Sequence, residues 1–83
     1  MTPQERIAAF LVQRFRAAIR RGELGFEEPL ISSGIIDSFG MLEVLAFLED
    51  TFAVTIDPTR LDVTALETVN QIAALVESAR QRG

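Results

Sequence analysis

Residues 37–52 read DSFGMLEVLAFLEDTF, a sequence typical of one long helix. No glycine or proline interrupts it between Met41 and Phe52. The side chain of Asp37 or of Ser38 can accept hydrogen bonds from the free backbone N–H groups of a helix start. The pattern therefore predicts a helix that begins at one of these two residues and ends near Phe52.

This helix is apolar on nearly every side, which is unusual for a small domain. One face has the spacing of a packed stripe: Met41, Val44, Leu45, Leu48 and Phe52. The opposite side combines further apolar residues with acids: Phe39, Glu43, Ala46, Phe47 and Asp50. Because a chain of 83 residues can hardly bury a helix completely, we expect an exposed apolar patch rimmed with acids.

An amphipathic helix is predicted at the start of the chain. Thr2 and Glu5 form a capping box around Pro3, and the helix is expected to run to about Arg21, where Gly22 can stop it. Arg20 and Arg21 suit the negative end of its dipole. Its packed face is expected to comprise Ile7, Ala8, Leu11, Val12, Phe15, Ala18 and Ile19. Phe10 falls outside that face and has no predicted role.

The last helix is predicted to begin at Thr68, which forms a capping box with Gln71. Its packed stripe is Val69, Ile72, Ala73, Val76 and Ala79. Residues 22–37 fit no helical or strand period and predict a long loop, whose apolar residues are expected to pack down: Phe26, Leu30, Ile31, Ile35 and Ile36.

Two short segments lie between the second and the last helix. Residues 53–56 are apolar and predict a loop tucked against the core, and residues 62–67 predict a single helical turn. The expected fold is all-α: a small four-helix bundle of three main helices and a short one, in a single domain over residues 1–83.

The composition excludes most catalytic chemistry. Cysteine, histidine, lysine, tyrosine and tryptophan are all absent. Ser–His and Cys–His nucleophile pairs, Schiff-base lysines, and histidine or cysteine zinc ligands are therefore excluded. We predict no catalytic residue and no metal site, and so a protein that is not an enzyme.

Charge is segregated along the chain. Residues 1–21 carry a net charge of +4, residues 22–59 carry −8 with no base, and residues 60–83 are balanced. An acidic domain is poorly suited to nucleic acid. No run is long enough to span a bilayer and the start does not resemble a signal peptide, so we expect a cytoplasmic protein.

One serine occupies a position where chemistry is possible. Ser38 follows the long loop and opens the acidic second helix, whose positive end can receive a phosphate. The simpler interpretation is that Ser38 only caps the helix.

The sequence resembles the acyl and peptidyl carrier protein family. The resemblance begins at Asp37-Ser38-Phe39 and covers nearly the whole chain. It includes Leu30, Ile31 and Gly34 before the serine, and Glu43, residues 47–52, Thr68, Val69 and Ile72 after it.

This resemblance implies that 4′-phosphopantetheine is attached to Ser38 by a separate Mg²⁺-dependent phosphopantetheinyl transferase, with Asp37 helping to position the cofactor and the metal. It also implies docking through acids that meet basic partner surfaces and through apolar residues: Glu43, Glu49, Asp50, Phe39, Ala46 and Phe47. The partners would be this transferase, an acyl or aminoacyl ligase, and downstream synthases or transferases, visited by a monomeric carrier. The imported arm would supply the thiol that a cysteine-free chain lacks.

Three residues depart from the family pattern: Phe39 replaces the usual leucine, Gly40 a polar residue, and Phe47 a small residue. They imply a dedicated set of partners. We expect an acyl cargo, as in fatty acid or polyketide biosynthesis. Because the string Asp-Ser-Phe-Gly also resembles carriers of the D-alanyl type, an aminoacyl or peptidyl cargo is the alternative. A helical adaptor in which Ser38 is only a cap is a further one.

Overall fold

The computed structural model describes residues 1–19 and 22–82, and all regular structure in this part of the chain is helical. It comprises α1 (Pro3–Arg14), α2 (Ser38–Phe52) and α3 (Val69–Arg82), with two 3₁₀ turns at Pro58–Arg60 and Val63–Leu66. The all-α prediction is confirmed. The predicted helical turn at residues 62–67 is present as a 3₁₀ turn, but a fourth α-helix is not formed among the described residues.

The segment between α2 and α3 is divided by two aspartates. The Asp57 carboxylate accepts a hydrogen bond from the backbone N–H of Thr59, and the Asp62 carboxylate accepts one from that of Thr64. Each aspartate caps its own short turn, and Leu61 between them is extended. These competing local hydrogen bonds explain why a continuous helix does not form there.

Helix α1 begins as predicted and ends earlier than predicted. The reciprocal hydrogen bonds between Thr2 and Glu5 form the capping box. The helix ends at Arg14, because the backbone leaves helical geometry at Phe15, with φ −114° and ψ 40°. Residues 15–18 form turns instead, and Ile19 still reaches the core. Packing of Phe15 and Ile19 overrides the helix propensity of the residues around them, and Ala18, predicted to pack, is exposed. Arg20 and Arg21 lie outside the described residues.

Helices α2 and α3 follow their predicted patterns. In α2 the predicted stripe is buried, except that Met41 is half-buried. In α3 the predicted stripe is buried as far as Val76, and its last residue, Ala79, is half-buried. The Thr68 hydroxyl accepts a hydrogen bond from the Gln71 backbone N–H, which confirms the predicted start of α3. The second bond of the box differs, since the Thr68 hydroxyl donates to the Gln71 side-chain oxygen.

Helices α1 and α3 pack on one another, and buried side chains of α2 belong to the same core. Its fully buried side chains come from all three helices, the loop before α2 and the second 3₁₀ turn: Ile7, Leu11, Leu30, Ile36, Val44, Leu48, Leu66, Val69, Ile72 and Val76. Val54 and Ile56 are buried as well, so the prediction of a core-tucked loop at residues 53–56 is confirmed.

The long loop is packed down over most of its length. Leu30 and Ile36 are buried, and Ile31 and Ile35 are half-buried. Phe26 is 38% exposed, so the prediction that it packs into the core is wrong. Its backbone carbonyl accepts a hydrogen bond from the Asn70 N–H, and this contact with α3 positions the segment by its main chain instead of by the aromatic ring.

Candidate functional site

Ser38 is the first residue of α2 and is exposed to solvent. The residue that caps the helix is Asp37, whose carboxylate accepts a hydrogen bond from the Gly40 backbone N–H at 2.7 Å. Among the described residues, the Ser38 hydroxyl makes no hydrogen bond. The interpretation of Ser38 as the capping residue is therefore wrong, and its hydroxyl is free to react at the positive end of the helix.

The loop that leads to Ser38 is held by a carboxylate that lies far from it in the sequence. Glu67 Oε1 accepts hydrogen bonds from the backbone N–H groups of Leu30, Ile31 and Ser32, at 3.0, 2.7 and 3.1 Å. The Glu67 carbonyl accepts a further bond from the Leu30 N–H. These donors, with Ser32 the largest contributor, lower the pKa of the Glu67 carboxyl below its ordinary value. Glu67 thereby fixes the course of the chain six residues before the serine.

Glycine at position 40 has a packing reason. A Cβ placed there would lie 3.0 and 3.1 Å from Cε1 and Cζ of the Phe15 ring, and 3.2 Å from the Asp37 carboxylate. Only a residue without a side chain lets the ring approach the first turn of α2 so closely. Phe15 therefore supports the backbone just after Ser38.

Three of the six residues that the resemblance predicts to contact partners are exposed on α2. Phe39 is 65% exposed, and Ala46 and Asp50 are also exposed. Leu42, which was not predicted, is 60% exposed and lies one turn from each of Phe39 and Ala46. Asp37 is exposed beside Ser38. Together, Phe39, Leu42 and Ala46 form a stripe that we call the outer apolar stripe.

The other three predicted docking residues make contacts within the chain. Glu43 forms a two-pronged ion pair with Arg14 of α1, and the ring of Phe47 stacks on that of Phe10 with centroids 4.0 Å apart. The Glu49 carboxylate accepts a hydrogen bond from the Ile56 N–H at 2.9 Å. Their side chains therefore already have structural partners.

Sequence reasoning missed three contributors to this region. Leu42 could have been found from the spacing of Phe39, Leu42 and Ala46 along one helical stripe. Arg14 and Glu67 act on residues 29 and 35–37 positions away. No local pattern in a single sequence indicates such distant pairs.

Comparison with known proteins shows the family of the chain. A family model described as a phosphopantetheine attachment site matches residues 9–76, which is most of the chain. No curated protein matched the sequence significantly. None of the described helices has both the length and the hydropathy needed to cross a membrane. The chain therefore belongs to the phosphopantetheine-attachment family, whose members are non-catalytic carriers of covalently bound 4′-phosphopantetheine.

Proposed function

We propose that Ser38 is the residue that bears the phosphopantetheine arm. The observation that carries this proposal is that the Ser38 hydroxyl is exposed and unbonded among the described residues, while Asp37 caps the helix. Attachment of a group to the Ser38 hydroxyl oxygen therefore breaks no hydrogen bond and moves no core residue. The phosphate of the arm would lie at the N-terminus of α2, where backbone N–H groups and the helix dipole favour negative charge.

The attachment step requires a separate transferase and coenzyme A. The Ser38 oxygen forms a bond to the phosphorus that carries the pantetheine, its proton leaves, and adenosine 3′,5′-bisphosphate departs. Asp37 lies beside this oxygen and would help to position the incoming cofactor and the metal of the transferase. The attached arm supplies a thiol for thioester chemistry, which no residue of this chain could provide.

The outer apolar stripe is the surface that partner enzymes would meet next to the arm. Phe39 adjoins Ser38, and Leu42 and Ala46 extend the stripe along α2. Large exposed apolar side chains beside a reactive residue are typical of an interaction surface. Asp50 adds an exposed acid further along the helix. The transferase, a loading ligase and downstream enzymes would all use this surface in turn.

We further propose that the cargo is an acyl group. Its hydrocarbon could lie in an open pocket of about 490 Å³ between residues 55–61 and the second half of α3, where Ile56, Leu61 and Leu75 provide apolar walls beside the polar Asp57 and Arg60. An aminoacyl cargo, which the string Asp-Ser-Phe-Gly suggests by resemblance, is the alternative. A seated octanoyl group should raise the melting temperature above that of the acetyl-loaded protein, and an aminoacyl group should change it little.

Intact mass spectrometry tests the attachment. The protein is incubated with coenzyme A, Mg²⁺ and a broad-specificity phosphopantetheinyl transferase, and its mass should increase by one phosphopantetheine. Ser38→Ala should abolish the increase, whereas Ser78→Ala, which removes an exposed hydroxyl of α3 that makes no hydrogen bond among the described residues, should retain it. A mass increase that persists in Ser38→Ala, or no increase with several transferases, would contradict the proposal and favour a helical adaptor.

A further inference from the structure

The ion pair between α1 and α2 neutralises Glu43, the first acid within α2. Arg14 Nε donates to Glu43 Oε2 at 2.6 Å, and Arg14 Nη2 donates to Glu43 Oε1. Two guanidinium nitrogens therefore each donate to one carboxylate oxygen. This is the bidentate geometry in which arginine binds a carboxylate most strongly. Arg14 also lies over the Phe15 ring, 5.3 Å from its centroid, which helps to keep the guanidinium in place.

Glu43 has no neighbouring acid within the first half of α2 that could replace it; Asp37 lies just before the helix, and its carboxylate accepts the hydrogen bond of the Gly40 N–H. Between Ser38 and Leu48 it is the single charged residue in the sequence. The next acids, Glu49 and Asp50, follow about two turns later on α2, and Glu49 accepts the hydrogen bond of Ile56. With Glu43 paired, the first half of α2 presents the outer apolar stripe without net charge.

We propose that Arg14 is a specificity-determining residue that withdraws Glu43 from partner contacts. The surface of a partner enzyme that faces the first half of α2 is consequently apolar, shaped to take Phe39 and Leu42, and not rich in lysine and arginine. A basic partner would have to compete with Arg14 for the Glu43 carboxylate. This inference rests on the proposed function, because it assumes that partners approach the arm on Ser38.

A double-mutant cycle on Arg14 and Glu43 tests the proposal. The readout is kcat/KM for attachment of phosphopantetheine from coenzyme A by a transferase with a basic docking surface. Arg14→Gln frees Glu43 and should raise kcat/KM about two- to fivefold, the range expected from the strength of exposed ion pairs. Adding Glu43→Gln to Arg14→Gln should remove this gain.

Salt dependence provides a second readout. In Arg14→Gln, the freed carboxylate attracts the basic transferase, so kcat/KM should fall more steeply with sodium chloride than it does for the wild-type protein. Arg16→Gln is the matched control, because Arg16 is exposed just beyond α1 and has no ion pair among the described residues. It removes the same charge and should not give the gain.

Two results would overturn the role of Arg14. One is an equal effect of Glu43→Gln in the wild-type and Arg14→Gln backgrounds, which would show that Glu43 contacts the partner despite Arg14. The other is an equal gain from Arg16→Gln, which would show a general charge effect. Failure of the wild-type protein and of every variant to acquire the arm would instead contradict the proposed function, so the two failures are distinguishable.

Discussion

Two adjacent residues at the start of α2 have different roles. Asp37 stabilises the helix through its hydrogen bond to the Gly40 N–H, and Ser38 contributes an exposed hydroxyl with no hydrogen bond among the described residues. Stability and chemistry are thus assigned to different side chains. A mutation at Ser38 can therefore remove the chemistry and leave the fold intact.

This division predicts different stabilities for two alanine variants. Asp37→Ala should lower the free energy of unfolding by about 1 kcal/mol, because a helix N-terminus loses its cap. Ser38→Ala should change it by less than about 0.5 kcal/mol, as an exposed substitution without lost contacts does. Urea denaturation followed by circular dichroism measures both values. A larger loss in Ser38→Ala than in Asp37→Ala would show that the serine caps the helix after all.

Gly40 permits a second test, because helix propensity and packing predict opposite changes in stability for Gly40→Ala. Replacement of a helical glycine by alanine ordinarily stabilises by about 1 kcal/mol. Here the new Cβ would lie 3.0 Å from the Phe15 ring, so Gly40→Ala should instead destabilise by about 1 kcal/mol.

The control for this prediction removes the obstructing ring. In a Phe15→Leu background, Gly40→Ala should become neutral or stabilising, because the close ring contact is gone while the gain in propensity remains. Thermal melts of the four proteins give the comparison. Destabilisation of the same size in both backgrounds would mean that Phe15 is not the reason for the glycine.

At the scale of the helices, an aromatic cluster joins α1 to α2. Phe10 stacks on Phe47 at an interplanar angle of 11°, and Phe47 meets Phe52 edge to face with centroids 6.3 Å apart. Arg80 of α3 lies over the Phe52 ring. Phe47 is therefore large where the family usually has a small residue because it completes a contact between helices.

The stack predicts that Phe10 and Phe47 are energetically coupled. The losses of stability in Phe10→Ala and Phe47→Ala should fail to add in the double variant, with an interaction energy of about 0.5–1.5 kcal/mol. Phe10 with Phe39 is the matched pair, since Phe39 is exposed and makes no ring contact among the described residues. Additive losses for Phe10 and Phe47, measured by urea denaturation, would contradict the coupling.

The elements that could be predicted from the sequence are those whose signals are local. The predictions failed where a residue distant in the sequence determines the structure. The caps at Thr2 and Thr68 and the stripes of α2 and α3 could be predicted because each depends on residues within about two turns. The predicted end of α1 was wrong, and Phe15, where the backbone leaves helical geometry, lies close to Gly40, 25 positions away in the chain. Phe10 had no predicted role because its partner lies on another helix.

The candidate site divides in the same way. The position of Ser38 at the start of α2 could be predicted from the motif and the preceding loop, although the capping residue is Asp37. The ion pair of Glu43 could not be predicted, because its partner Arg14 lies outside any local pattern that contains Glu43.

Across the whole molecule, the long loop is part of the packed body. The Cα radius of gyration is 11.8 Å, close to the value of about 12 Å expected for a compact domain of this length. A loop of this length that extended into solvent would raise that value. Glu67 explains the compactness in part, since it binds the three consecutive N–H groups of Leu30, Ile31 and Ser32 that would otherwise need other acceptors.

The hydrogen bonds between Glu67 and the loop predict a specific dependence of stability on pH. Because these N–H groups hold the pKa of Glu67 below its ordinary value of 4.5 in the folded state, its stabilising contribution is present above that value and is lost as pH falls through the folded-state pKa. Glu67→Gln replaces a charged acceptor with a weaker neutral one, so it should lower the melting temperature near neutral pH. The difference from the wild-type protein should then shrink as the carboxylate of the wild-type protein becomes protonated.

Thermal melts of both proteins from about pH 7 to about pH 3 measure this convergence. Glu77→Gln is the control, because Glu77 is exposed on α3 and accepts no hydrogen bond among the described residues, so its difference from the wild-type protein should stay small throughout. A constant difference between Glu67→Gln and the wild-type protein over this range would show that the carboxylate charge does not hold the loop. The loop leads directly to Ser38, so in Glu67→Gln attachment of the arm should slow in the same pH range in which the melting temperatures differ.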